Sequence, residues 1–192
     1  MRNLHKVAYT SSYDRGLEHL LTLWPKVRSA VPDAELHIYY GWQLFDKFYS
    51  NNPSSMKWKD HMLEMMRYEG VADHGRLPQP LLARELKTCG VWAYPTHFGE
   101  INCISALKAQ VYGCEPVVVE YAALEETVHF GRKVKGDIYD TETQEAFLKE
   151  LLDALKNPLS DEKREDMMAW AKSHYSWDKI IDGWSTEFKE NV

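Results

Sequence analysis

A chain of 192 residues, 44% of them hydrophobic and 27% charged, can bury one ordinary core, and we expect a single domain over residues 1–192. The net charge of −6 excludes a broad basic surface for nucleic acid or anionic lipid. No apolar run reaches the roughly 20 residues that a membrane span needs, and the polar N-terminus lacks the apolar core of a signal peptide. The sequence therefore predicts a cytoplasmic protein without a transmembrane segment.

Strand and helix patterns alternate along the chain. Short apolar runs predict strands at 7–11, 35–40, 71–75, 90–95 and 116–119. Apolar residues at helical spacing predict helices at 17–31, 43–49, 56–68, 79–87, 103–112, 123–130, 142–155, 161–174 and 177–189. This alternation favours an α/β fold, a Rossmann-like three-layer α/β/α domain with a parallel sheet. Such sheets bind ligands at the carboxyl ends of their strands, so we expect function in the loops that follow the predicted strands.

Metal and disulfide chemistry find little support in the sequence. Cys89, Cys103 and Cys114 fit no zinc-ligand spacing, and their odd number argues against a disulfide framework, so we expect buried thiols. His97 and Glu100 form an isolated HxxE pair with no second pair of ligands nearby. The sequence also has no GxGxxG after the first strand, no P-loop and no GxSxG. We expect no essential metal and no bound cofactor.

The loop after the fourth strand carries the best candidates for ligand binding. It contains Glu100 and leads through Asn102 and Cys103 into a helix that starts near Ile104. The unpaired N–H groups of a helix start attract anions, so these three amides are candidates to hold a phosphate. Glu100 could accept hydrogen bonds from sugar hydroxyls. In the simpler alternative, Glu100 only caps the helix and Asn102 is a turn residue.

The first loop offers a second group of polar side chains. Ser11, Ser12 and Arg15 follow the first strand, and Gly16 allows the backbone to turn tightly before the helix. A cation at a helix start is disfavoured by the helix dipole, which makes sense if Arg15 faces a bound diphosphate. The alternative is an arginine that faces solvent.

Three stretches of the chain together resemble a known family. They lie at 9–17 with 32–36 and 40–41, at 94–113 with 116–118, and at 176–177, where Ser176-Trp177 opens the last helix. In order and spacing they are similar to the C-terminal domain of the retaining glycosyltransferases that include sucrose synthases and bacterial mannosyl- and glucosyltransferases. These enzymes have the GT-B fold, two Rossmann-like domains with the active site between them.

The resemblance implies roles for individual residues. Glu100 would be the first acid of the family's Glu-x7-Glu motif and would touch the donor sugar, and Arg15 would meet the diphosphate. Backbone near Arg76 and Leu77 would lie by the base. Lys108 stands where the family has the second acid, which normally accepts hydrogen bonds from the ribose hydroxyls. A lysine has only donors, so this departure puts the nucleotide preference and turnover in question.

The resemblance also implies partners. The resemblance implies that this chain is the part that binds a nucleotide sugar. For hexosyl transfer with retention, the chain would then need an N-terminal acceptor-binding domain of about 150–200 residues, or a partner chain. The apolar stripe of the final helix (Trp177, Ile180, Ile181, Trp184 and Phe188) is then expected to be partly exposed. Two other interpretations stay open. One is a non-catalytic module for nucleotides, phosphorylated sugars or assembly, and the more remote one is a flavodoxin-like receiver.

Overall fold

The computed structural model describes residues 1–190 and contains a six-stranded sheet in which all paired strands run parallel. The strands are β1 (Asn3–Tyr9), β2 (Glu35–Ile38), β3 (Val71–Asp73), β4 (Cys89–Tyr94), β5 (Glu115–Val119) and β6 (Arg132–Val134). The helices are α1 (Leu17–Ala30), α2 (Gln43–Tyr49), α3 (Pro53–Met65), α4 (Gln79–Leu86), α5 (Ile104–Val111), α6 (Leu124–Thr127), α7 (Thr141–Lys156), α8 (Asp161–Tyr175) and α9 (Trp177–Glu190). The predicted Rossmann-like α/β class is confirmed.

The sheet has the order β3-β2-β1-β4-β5-β6, so the direction of winding reverses between β1 and β4. Val7 of β1 pairs with Leu36 on one side and with Val91 on the other. All six residues of β4 are buried, as expected for a central strand that is covered by helices on both faces. Ligands of doubly wound sheets bind where the winding reverses. The loops after β1 and β4 are therefore the place to look for a site.

Several predicted boundaries were wrong, and each error has a physical reason. The first strand begins at Asn3 and ends at Tyr9, because its polar start pairs with β4 at Cys89 although it lacks an apolar pattern. The third helix starts at Pro53, where the Asn52 side chain accepts a hydrogen bond from the Ser55 N–H group. The helix predicted at 123–130 is only the short α6.

Strand β6 was missed altogether. It has three residues, two of them basic, and its pairing partner is β5. The Arg132 guanidinium is neutralised by Glu115, whose carboxylate lies 2.8 Å away, and by Asp153. Lys133 makes an ion pair with Glu120 at 2.8 Å. These charges gave the segment the appearance of a solvent-exposed loop.

Helix α9 ends the described part of the chain with an apolar face that solvent reaches. Trp177, Ile181, Trp184 and Phe188 are 53–72% exposed, which confirms the expected exposure of the final helix. Within residues 1–190 no helix is long and apolar enough to cross a membrane. The three cysteines are buried and unpaired, as expected.

Candidate functional site

Arg15 and Glu100 meet although 85 residues separate them in the sequence. Arg15 lies in the turn before α1 and Glu100 in the loop between β4 and α5, so both come from the two loops at which the winding reverses. A guanidinium nitrogen of Arg15 (Nη1) lies 3.3 Å from Oε1 of Glu100, and the two side chains are 35% and 13% exposed. The guanidinium also lies 3.8 Å above the ring centre of Phe98, within cation–π range. The structure thus brings the two predicted catalytic residues together.

Buried hydroxyl groups hold the Glu100 carboxylate from below. The Tyr94 hydroxyl, at the end of β4, donates a 2.8 Å hydrogen bond to Oε1 of Glu100. The Ser11 hydroxyl lies 3.1 Å from the Tyr94 oxygen and can donate to it. Burial raises the pKa of Tyr94, so its proton stays in place as a donor. Glu100 makes no hydrogen bond to the start of α5, and α5 has no side-chain cap. The helix-cap alternative for Glu100 is therefore wrong.

Gly16 fixes the position of Arg15. Its φ angle of 117° is one that side-chain-bearing residues rarely adopt, and a Cβ atom there would lie 2.3 Å from the Pro95 carbonyl oxygen. Only glycine lets the start of α1 come this close to the end of β4. The Arg15 N–H group donates to the Ser12 carbonyl at 3.0 Å, which closes the turn. The Ser12 carbonyl thus helps to hold Arg15 in the turn.

The start of α5 presents two of the three predicted amides. Within residues 1–190 the N–H groups of Asn102 and Cys103 have no hydrogen-bond partner. The Ile104 N–H group, in contrast, points to the Asn102 carbonyl at 3.2 Å, so a ligand would have to replace that contact. Burial, with a smaller contribution from the Glu100 charge, raises the pKa of the Cys103 thiol to about 11. Cys103 is therefore a neutral thiol at pH 7.

A cleft of about 140 Å³ lies beside the Arg15–Glu100 cluster. The other predicted residues, Arg76, Leu77 and Lys108, line this cleft. Its walls come from the segments that follow β1, β2 and β3 and from the helices α4 and α5. The Lys108 ammonium donates a hydrogen bond to the Gln79 side chain. Arg76 is exposed, and no carboxylate lines the cleft. The cleft consequently offers two cations and several hydroxyl groups to a ligand.

Thr10 connects the cleft with the Arg15–Glu100 cluster. Its hydroxyl accepts a 2.9 Å hydrogen bond from the Trp92 indole, and its carbonyl accepts one from the Ser105 hydroxyl at 3.2 Å. Ser105 and Thr10 both line the cleft. These two residues, like Tyr94 and Gln79, were not predicted as site residues. The available signal was position, because Thr10 directly follows β1 and Ser105 lies in the first turn of α5.

His97 takes no part in the cluster. Its ring lies 5.7 Å from that of His19 on α1 and 5.2 Å from that of Tyr139 in the segment between β6 and α7. Glu100 is turned toward Arg15 instead, so the two members of the HxxE pair have separate surroundings. No group of three or more possible metal ligands lies together anywhere in residues 1–190.

Comparison with solved structures identifies proteins that share this fold. No protein-family model and no curated protein matches the chain. Solved structures do match. The match to pneumococcal O-GlcNAc transferase GtfA has a TM-score of 0.74 and 10% sequence identity and covers 98% of this chain. The match to sucrose-phosphate synthase from Thermosynechococcus elongatus has a TM-score of 0.76 and 17% sequence identity and covers 96% of this chain. Anabaena Alr3699/HepE with UDP-glucose matches at a TM-score of 0.68 and 14% identity over 97% of the chain. These proteins are GT-B glycosyltransferases.

The fold is that of a GT-B C-terminal domain. The chain spans 36% of the GtfA chain, 45% of the sucrose-phosphate synthase chain and 49% of the HepE chain. In this GT-B domain fold, the Arg15–Glu100 cluster and the cleft lie side by side at the carboxyl edge of the sheet, across the point where the winding reverses.

Proposed function

We propose that this chain is the donor-binding domain of a glycosyltransferase that transfers a hexose from a nucleotide sugar with retention. The observation that carries the proposal is the contact between Arg15 and Glu100 beside the cationic cleft of a GT-B domain fold. The solved structures of GtfA and HepE, which share this fold, were determined with UDP and a sugar or with UDP-glucose. An acceptor-binding domain or partner chain would complete the active site, and we place the protein in the cytoplasm.

Each part of the site has a task in this proposal. The nucleoside lies in the cleft near Arg76 and Leu77, and the diphosphate lies between Arg15 and the amides at the start of α5. Glu100 accepts hydrogen bonds from the hydroxyls of the donor sugar. When the bond between the sugar and the diphosphate breaks, negative charge grows on the diphosphate oxygen that leaves. A fixed guanidinium and oriented N–H groups stabilise that charge, so the proposal includes no essential metal.

A panel of nucleotide sugars tests the proposal directly. We expect one of UDP-glucose, UDP-N-acetylglucosamine, GDP-mannose or ADP-glucose to bind in a calorimetric titration. Glu100→Ala should weaken that binding about 5–10-fold, because a charged acceptor of sugar hydroxyls is lost. Glu145→Ala removes an exposed carboxylate from the second turn of α7 and serves as the matched control. Failure of all four compounds to bind at millimolar concentration, or equal losses in both variants, would refute the proposal.

Lys108 favours a second candidate function, a non-catalytic module that binds a phosphorylated ligand. The cleft has two cations and no carboxylate, which suits an anionic group at least as well as a ribose. On the donor-domain proposal, Lys108→Glu supplies acceptors for the ribose hydroxyls, and we expect nucleotide-sugar affinity to rise about 3–10-fold. Lys26→Glu makes the same charge change on the exposed face of α1 and should leave the affinity unchanged. Weaker binding in Lys108→Glu alone would support the second candidate.

A further inference from the structure

A second opening, outside the proposed donor site, lies between the first loop and the helices α2 and α3. Its volume is about 340 Å³, and it is lined by Phe45, Tyr49 and Trp58 together with polar side chains. The Phe45 ring centre lies 5.3 Å from that of Trp58 and 5.0 Å from that of Tyr49, and the ring planes are tilted by 37° and 45°, so the three neighbouring rings form an angled aromatic platform. We call these residues, with Asp14, Ser54 and Ser55, the aromatic pocket.

The aromatic platform is held in place by contacts beneath it. The Trp58 indole N–H group donates a 2.7 Å hydrogen bond to the Glu18 carboxylate on α1. Trp42 supports the platform from below, with ring centres 5.3 Å from Phe45 and 5.9 Å from Trp58. Tyr49 is 43% exposed at the rim. A ligand would therefore meet rings whose orientation is already set.

The side chains of Asp14, Ser54 and Ser55 bring unpartnered polar groups to the aromatic pocket. The exposed Asp14 carboxylate makes no hydrogen bond or ion pair with any described residue, and the same holds for the hydroxyls of Ser54 and Ser55. The Ser55 backbone N–H group is already used, since it donates to the Asn52 side chain. The aromatic pocket thus combines ring faces with one charged acceptor and two hydroxyl groups.

This combination matches the chemistry of a sugar ring. A pyranose has a face of C–H groups, which pack on the electron-rich face of an aromatic ring, and an edge of hydroxyls, which donate to a carboxylate and exchange hydrogen bonds with serines. A quaternary ammonium ion would suit the rings and the carboxylate. It has no group to pair with the two serine hydroxyls, and the neutral sugar is therefore the better fit.

We propose that the aromatic pocket binds a neutral saccharide. None of the residues that line it also lines the cleft of the proposed donor site. The binding of a saccharide itself depends only on the aromatic pocket.

Saturation-transfer NMR of the whole chain tests this inference with defined probes. The probes are methyl α-glucoside, methyl β-galactoside, methyl N-acetylglucosaminide and maltose, each at about 10 mM, a range suited to millimolar affinity. We expect at least one of them to bind, and Tyr49→Ser and Asp14→Asn each to raise its dissociation constant about fivefold or more. Tyr68→Ser and Asp166→Asn replace exposed residues far from the aromatic pocket and should change nothing. Circular dichroism confirms that each variant is folded.

Three results would overturn the inference: no saccharide binds, a saccharide binds equally well to the pocket variants and the controls, or tetramethylammonium binds where the saccharides do not. The donor panel on Tyr49→Ser separates this inference from the proposed function. Loss of saccharide binding with donor binding intact is the result expected of a separate saccharide pocket. If wild-type protein binds a donor and no saccharide, only the aromatic pocket fails. If it binds a saccharide and no donor, the proposed function fails and a saccharide site remains.

Discussion

Gly16→Ala is expected to lower the free energy of unfolding by about 2–5 kcal/mol. The backbone strain at its positive φ contributes about 1–3 kcal/mol, and forcing a methyl group into a packed contact contributes a similar amount. The new Cβ atom would lie 2.3 Å from the carbonyl oxygen of Pro95 and 3.0 Å from the Cα atom of Thr96. Both are backbone atoms of the segment that follows β4, so no side-chain rotation can relieve the contact. Urea unfolding followed by circular dichroism measures the loss.

Gly75→Ala separates the two contributions to this loss. Gly75 also has a positive φ, of 61°, but a Cβ atom there would meet nothing within 4 Å. We expect it to cost only the strain of a left-handed residue, about 1–2 kcal/mol. Equal losses in the two variants would mean that the approach of α1 to Pro95 is not tightly packed. A larger loss for Gly16→Ala confirms that glycine is required where the chain positions Arg15.

The fold could be predicted from sequence wherever one face of an element is buried. β4 is apolar throughout because helices cover both of its faces, and α7 carries an apolar stripe whose members Phe147, Leu151 and Leu155 are buried. The prediction failed where the stabilising contacts come from elsewhere in the chain. Nothing local marks the segment from Arg132 to Val134 as a strand, since its charges are neutralised by residues of β5 and α7 and of the loop after β5.

The candidate site could be predicted only in part for the same reason. Glu100 and Arg15 were identified by resemblance and by their places in loops, but their contact depends on how α1 packs against the end of β4. Tyr94 looked like one more core residue of a strand, and only the structure shows that its hydroxyl reaches Glu100. The bond from Lys108 to Gln79 joins two helices whose relative position no local pattern specifies.

Arg15→Ala is expected to weaken binding of a nucleoside diphosphate about 10–100-fold. A hydrogen bond to a charged group contributes about 1.5–3 kcal/mol, and 1.4 kcal/mol corresponds to a factor of ten in affinity. The Phe98 ring and the Glu100 carboxylate hold the guanidinium, so little conformational entropy is lost when it binds a phosphate. Calorimetry with the nucleoside diphosphate and the matching monophosphate measures the effect, which should be larger for the diphosphate. Arg67→Ala, an exposed arginine after α3, is the control.

The ion pair between Arg15 and Glu100 also predicts that a substitution at Glu100 strengthens binding of the nucleoside diphosphate. In the structure Arg15 is engaged by Glu100, so a diphosphate must compete with that carboxylate for the guanidinium. Glu100→Gln removes the competing charge but keeps the shape of the side chain. We expect it to strengthen binding of the nucleoside diphosphate and to weaken binding of the complete nucleotide sugar, because only the latter uses Glu100 as an acceptor. Equal changes for both ligands would place Glu100 at the diphosphate and contradict its contact with the sugar.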